Sequence, residues 1–121
     1  MGETIWDFEE EGIRYLVILV TVKNKEEALE MAEALVSNKL CACVNVIDSV
    51  TSVFTWKGAV ERANECLMII KTAIDLFPEI LNRIKELHSY DVPEIIALPI
   101  LGGNPSYLKW IEEVTGGSLI E

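Results

Sequence analysis

The feature that most constrains this chain is a run of 16 residues, Cys41 to Trp56, that reads as one β segment closed by a turn at Lys57-Gly58. Fully extended, such a segment spans about 53 Å at ~3.3 Å per residue. The whole chain has 121 residues. A compact domain of that size has a radius of gyration near ~14 Å, hence a diameter of roughly 35 Å. The hairpin must therefore bend, for which Asp48-Ser49 is the candidate, or project past its own domain as an arm that adds strands to a neighbouring subunit. A closed cyclic assembly would satisfy the strand edges that such arms leave open. Gly58 is free to take the positive φ that a tight hairpin turn asks for.

The elements around this hairpin alternate between two periodicities. Ile13 to Val22 is β-branched and nearly continuous in apolar character, as for a strand covered on both faces. Asn24 is placed to cap a helix to about Ser37, with Ala28, Leu29, Ala32, Leu35 and Val36 at helical spacing and Glu26, Glu27, Glu30 and Glu33 toward water. Beyond the hairpin turn, Glu65 to Thr72 is a second apolar strand. Asp75 is a candidate cap for a helix with Pro78 in its first turn and a stripe of Phe77, Ile80, Leu81, Ile84, Leu87 and His88. Glu94 to Ile100 reads as a fourth strand, with Pro99 at its end or edge. Asn104-Pro105 starts a last helix carrying Tyr107, Leu108, Ile111 and Val114, which Gly116-Gly117 stops. The order βαββαβ plus a C-terminal helix predicts an α+β, ferredoxin-like sandwich over residues 13–121, preceded by an acidic tail at 1–12. Its crossover helices cover one sheet face. The first and third strands are apolar on both, so the open face is a candidate interaction surface.

Charge narrows the partners. The net charge is −10, and Glu3, Asp7, Glu9, Glu10 and Glu11 carry half of it before the first base, Arg14. A nucleic-acid binder needs clustered positive charge, and none occurs here. No apolar run approaches the roughly 20 residues of a membrane span. The first residues lack the basic and apolar stretches of a secretory signal, and three cysteines, an odd number, do not suit a disulfide framework. The cytoplasm is the expected compartment.

Few residues invite chemistry. Cys41 and Cys43, two apart on a strand, are expected on one face with Asn45. Each reads either as a small buried hydrophobe or as a thiolate ligand for a soft metal such as Cu(I). His88, the only histidine, precedes Ser89-Tyr90-Asp91-Val92-Pro93-Glu94. It reads either as a helix-end residue that meets the last carbonyls or, with the loop carboxylates, as a site for Cu, Zn or Ni. Lys71 ends a strand and could pair with Glu94 or bind an anion. No glycine-rich phosphate loop, nucleophile–base pair or zinc-type cysteine spacing is present, so no enzyme is expected.

Ala42-Cys43-Val44-Asn45, Ser52-Val53-Phe54-Thr55-Trp56-Lys57-Gly58, Lys71-Thr72, His88-Ser89-Tyr90-Asp91-Val92-Pro93-Glu94 and Tyr107-Leu108-Lys109-Trp110 fall in the order of the landmarks of the CutA divalent-cation tolerance family, which the chain resembles over roughly residues 14–115. The resemblance implies an interlocked homotrimer whose strand arms extend the neighbour's sheet, a role in tolerance of divalent metals, chiefly copper, and no enzymatic activity. It also implies Cu(II) ligands at Cys43, His88 and Asp91. Asp91 stands where the family usually has Glu, which shortens the carboxylate's reach by one methylene. Cys41 replaces a usual small residue. The plan is also similar to that of PII signalling proteins, which implies a small ligand or nucleotide in an inter-subunit cleft near Lys71, Tyr90, Glu94 and Trp110. A third reading is a non-catalytic assembly scaffold.

Overall fold

The computed structural model describes residues 12–116. The expected acidic tail, apart from Gly12, and Gly117 of the expected helix stop lie outside them. The elements run β1 (Tyr15–Val22), α1 (Lys25–Ser37), β2 (Cys43–Trp56), β3 (Ala59–Ala73), α2 (Phe77–Leu87), β4 (Ile95–Pro99) and α3 (Pro105–Val114). The four strands form one sheet in the order β2-β3-β1-β4, with every neighbouring pair antiparallel. This is the ferredoxin-like α+β plan with an added C-terminal helix.

Strand alternation sorts the side chains onto two faces. Leu16, Ile18, Val20 and Val22 of β1 and Cys66, Met68 and Ile70 of β3 are buried in one core with Ala28, Met31 and Leu35 of α1 and Phe77, Ile80 and Ile84 of α2. Removing each of the Leu, Ile, Val, Met and Phe side chains from water contributes about 1.5–3 kcal/mol. The opposite face keeps Ile47, Ile96 and Leu98 exposed, although all three flank the central strands. α3 covers one end of this face. Its Glu112 accepts hydrogen bonds from Arg14 and from the Tyr15 hydroxyl, at 3.0 and 3.1 Å.

Local chemistry sets most of the helix ends. The Asn24 side chain accepts the Glu27 N–H at 2.8 Å, and the Asn104 side chain accepts the Ser106 N–H at 3.1 Å, just ahead of Pro105. Both caps fall where expected. The start of α2 differs. A 3-10 turn, Ile74–Leu76, precedes it, and no side chain caps the helix. Asp75 sits inside that turn, so it cannot serve as the cap; Pro78, which has no N–H to satisfy, eases the helix start instead. His88 lies just past the last turn of α2 with extended backbone, so it leaves the helix stripe.

The hairpin bends and also projects. β1 pairs with β3 only over Cys66–Ala73, while β2 and β3 continue to pair with each other from Val50↔Glu65 out to Trp56↔Ala59. A bulge at Asp48-Ser49 separates the inner part from this arm, and Ser49 has φ 62°. At the tip Lys57 and Gly58 have φ 52° and 82°, the two positive values of a type I′ turn. Val53, Trp56 and Val60 on the arm are 63%, 58% and 77% exposed. The first half of β3, Ala59–Asn64, is strand that the apolar pattern had not marked.

Cutting Ile84, fully buried beneath the sheet, to Ala is expected to destabilise the fold by about 2–5 kcal/mol in denaturant unfolding. Val60→Ser at the arm tip should change the stability of an isolated chain by no more than about 0.5 kcal/mol.

Candidate functional site

At the base of the arm the open sheet face meets the loop that follows α2. Together they line a cleft of about 900 Å³ whose walls include Thr21, Phe54, Trp56, Glu61, Glu65, Tyr90, Asp91 and Glu94. Four carboxylates and three aromatic rings face this space, and its lining contains no Lys or Arg. Its potential is therefore negative, and low-dielectric walls strengthen that field.

The loop is held by a chain of hydrogen bonds. The His88 ring, buried, lies with Nε2 at 2.7 Å from the Thr21 carbonyl. Its Nδ1 accepts the Tyr90 N–H at 3.0 Å. Because Nδ1 accepts, the ring proton sits on Nε2 and is donated to Thr21. Both ring nitrogens are occupied. Glu27 accepts the Ser89 N–H and hydroxyl, both at 2.9 Å, and so ties the loop to the first turn of α1. The Tyr90 hydroxyl donates to buried Glu65 at 2.7 Å, and Thr21 donates to Glu94 at 3.3 Å. Burial first, then the Glu65 hydrogen bond and the charges of Glu65 and Glu27, push the Tyr90 phenol up to about 12. Asp91 is exposed at the rim.

The residues singled out in the sequence thus fall into two groups. Tyr90, Asp91 and Glu94 line the cleft, with His88 supporting their loop. Cys43, Lys71 and Trp110 lie toward the other end of the open face. Cys43 pairs across the strands with Lys71, and Lys71 with Val17, four residues along β1 from Thr21. That separation is about 13 Å at ~3.3 Å per residue. Lys71 meets Cys43 and Asn45 rather than Glu94. Trp110 packs on Tyr107, ring centres 5.4 Å apart. Cys41 does not share a face with Cys43: it precedes β2 and enters the core, where burial, chiefly, and the neighbouring Cys43 push its thiol up to about 12. Among the described residues no three of His, Cys, Asp and Glu converge to hold a metal ion within one chain.

Phe54, Trp56, Glu61 and Glu65 were not anticipated as cleft residues. The signal was present, because counting outward from a two-residue turn at Lys57-Gly58 pairs Trp56 with Ala59, Phe54 with Glu61 and Val50 with Glu65.

Fold and site together define a ferredoxin-like α+β protein with an acidic cleft and an exposed apolar sheet face. Residues 16–114 match the CutA1 divalent ion tolerance protein family, and the chain belongs to that family. The divalent-cation tolerance protein CutA of Thermus thermophilus is 47% identical over 100 residues, spanning 83% of this chain and 97% of that protein. The chloroplastic Protein CutA 1 of Oryza sativa is 46% identical over 83% of this chain, which spans only 56% of the rice protein. The solved structure of the divalent cation tolerance protein of Thermus thermophilus superposes with a TM-score of 0.82 at 46% identity, covering 84% of this chain and 99% of that one.

Tyr90→Phe should cost about 1–3 kcal/mol at neutral pH, because the buried Glu65 carboxylate loses its donor. The fold favours the neutral phenol, so the Tyr90 contribution is whole below the ordinary value of 10.0 and fades as pH rises through about 12. Phenolate absorbance should show the latest-titrating step of the wild type missing in this variant.

Proposed function

We propose that the protein acts in divalent-cation tolerance as a cytoplasmic homotrimer that binds copper, Cu(II), at the acidic cleft, without catalysing a reaction. The observation that carries the reading is the lining of that cleft. Asp91 and Glu94 present carboxylate oxygens from one loop, Glu61 and Glu65 add negative charge from the arm, and no base offsets them. The name of the family, and of the Thermus relative, is that of divalent-cation tolerance.

The donor set Cys43, His88 and Asp91 does not fit a copper ion within one chain. Cys43 lies along the sheet from the other two, and both His88 nitrogens already have partners. The cation site is therefore centred on Asp91 and Glu94, with His88 holding their loop in place, and Cys43 joins it only across a subunit boundary. The exposed Ile47, Ile96 and Leu98 on the open face and the apolar arm beyond the bulge support assembly with other copies. A reducing compartment suits the three described cysteines, all of them free. Among the described residues no helix is long and apolar enough to cross a membrane.

The cleft volume also suits a small organic ligand. This favours the PII-like reading in size, but four carboxylates repel a phosphate, and Lys71 and Trp110 lie outside the cleft. A nucleotide is the wrong chemistry for it.

Calorimetric titration with Cu(II) should give saturable binding to the wild type. The double variant Asp91→Asn, Glu94→Gln should bind at least about tenfold more weakly, a change of ~1.4 kcal/mol, with its oligomer size unaltered. Equal affinity in the two proteins would remove the cleft from the account.

A further inference from the structure

The three described thiols are not equivalent. Cys41 and Cys66 are 2% and 0% exposed, and both pack in the apolar core. Cys43 is half-buried, and its sulfur has polar neighbours. The Lys71 amine lies 3.8 Å from Sγ, and the Asn45 side-chain oxygen lies 3.9 Å from it. The Tyr107 phenol, from α3, lies near the same thiol: burial first, then Cys43, raise its titration. Lys71 Nζ is also hydrogen-bonded to Asn45 Oδ1, which holds the amine over the thiol. Nor is the pairing accidental, because Cys43 and Lys71 are direct cross-strand partners in the β2–β3 ladder. Side chains so placed share a face with Cβ atoms about 4.5–5.5 Å apart.

A thiol and a primary amine at this distance have a specific chemistry under oxidation. A sulfenic acid condenses with a nearby thiol or nitrogen. The side-chain amine placed beside Sγ is that of Lys71. We propose that Cys43 and Lys71 form a reversible, peroxide-driven sulfenamide switch that staples β2 to β3 beneath α3. In the first step a hydroperoxide oxidises the Cys43 thiol to the sulfenic acid and is itself reduced, hydrogen peroxide becoming water. In the second, Lys71 Nζ attacks Sγ, the S–O bond breaks, an S–N bond forms, and water leaves with the hydroxyl oxygen. The proton lost by the ammonium goes to solvent. No further oxidant is needed. Two equivalents of an external thiol reverse the step, returning thiol and amine and leaving with a disulfide of their own.

The switch removes the positive charge of Lys71 from an acidic molecule and fixes the surroundings of Tyr107 and Trp110. Its chemistry needs only Cys43 and Lys71, which lie outside the acidic cleft of their own chain, and proceeds without a bound cation.

The test is mass spectrometry of the full chain, treated with hydrogen peroxide in chelator-containing buffer. The proposal expects a product about 2 Da lighter than the reduced chain, through loss of two hydrogens. Proteolysis should give a linked pair of peptides bearing Cys43 and Lys71, separable by dithiothreitol. The product should persist in Cys41→Ser and be absent from Cys43→Ser and from Lys71→Arg, which keeps the charge but not the amine. Circular dichroism would establish that each variant is folded. A lighter product that survives Lys71→Arg and disappears in Cys41→Ser is a Cys41–Cys43 disulfide and overturns the proposal. Products that only gain oxygen, or no reaction at Cys43, overturn it as well.

Discussion

Everything in this molecule turns on a hairpin longer than the sheet that holds it. β1 supports β3 over eight residues, Cys66 to Ala73. The strands β2 and β3 run on past that support and pair only with each other. A two-stranded ribbon on its own is marginal in water. The bulge at Asp48-Ser49 turns this one out of the domain, and its side chains include Val53, Trp56 and Val60, which stay more than half exposed in their own chain. The arm therefore gives a physical reason for assembly, and its inner surface supplies one wall of the acidic cleft. Without it the cleft would lose the wall that carries Phe54, Trp56 and Glu61, and the proposed trimer would lose its projecting apolar surface.

The open face carries two chemistries at its ends and hydrophobic surface between them. One end is a cleft of carboxylates and aromatic rings, kept in shape by His88, which bridges Thr21 and the Tyr90 N–H. The other end is a thiol beside an amine, covered by Tyr107 of α3. The intervening Ile47, Ile96 and Leu98 carry no polar groups, and burying such a surface against other copies is favourable without being directional. The single histidine has a positioning role: its two nitrogens are used to hold a loop, and the loop carries the carboxylates.

The architecture was legible because its strongest elements announce themselves over short stretches. The apolar run of β1 and Ala28, Ala32 and Leu35 of the α1 stripe do supply the core, while Leu29 and Val36 of that same stripe stay exposed. The caps Asn24 and Asn104 act within three residues of themselves. Misreadings arose where two local options competed. Asp75 suits a helix cap, yet a 3-10 turn forms there. Cys41 lies two residues from Cys43, yet β2 begins only at Cys43, so the alternation that would align their faces does not reach back to Cys41. Ala59 to Asn64 has no apolar run and is a strand because β2 pairs with it. The same distinction governs the site. Tyr90, Asp91 and Glu94 lie within one loop and stood out together, whereas Glu61 and Glu65 join them only through folding across the hairpin.

In the proposed assembly, arm and open face are buried against other copies of the same chain. Multi-angle light scattering on the purified protein measures this directly. A mass three times the 13.6 kDa of one chain, unchanged on dilution, is the predicted result. A stable single chain of 13.6 kDa would contradict the account, because the arm would then persist with its apolar side chains in water and no partner to cover them.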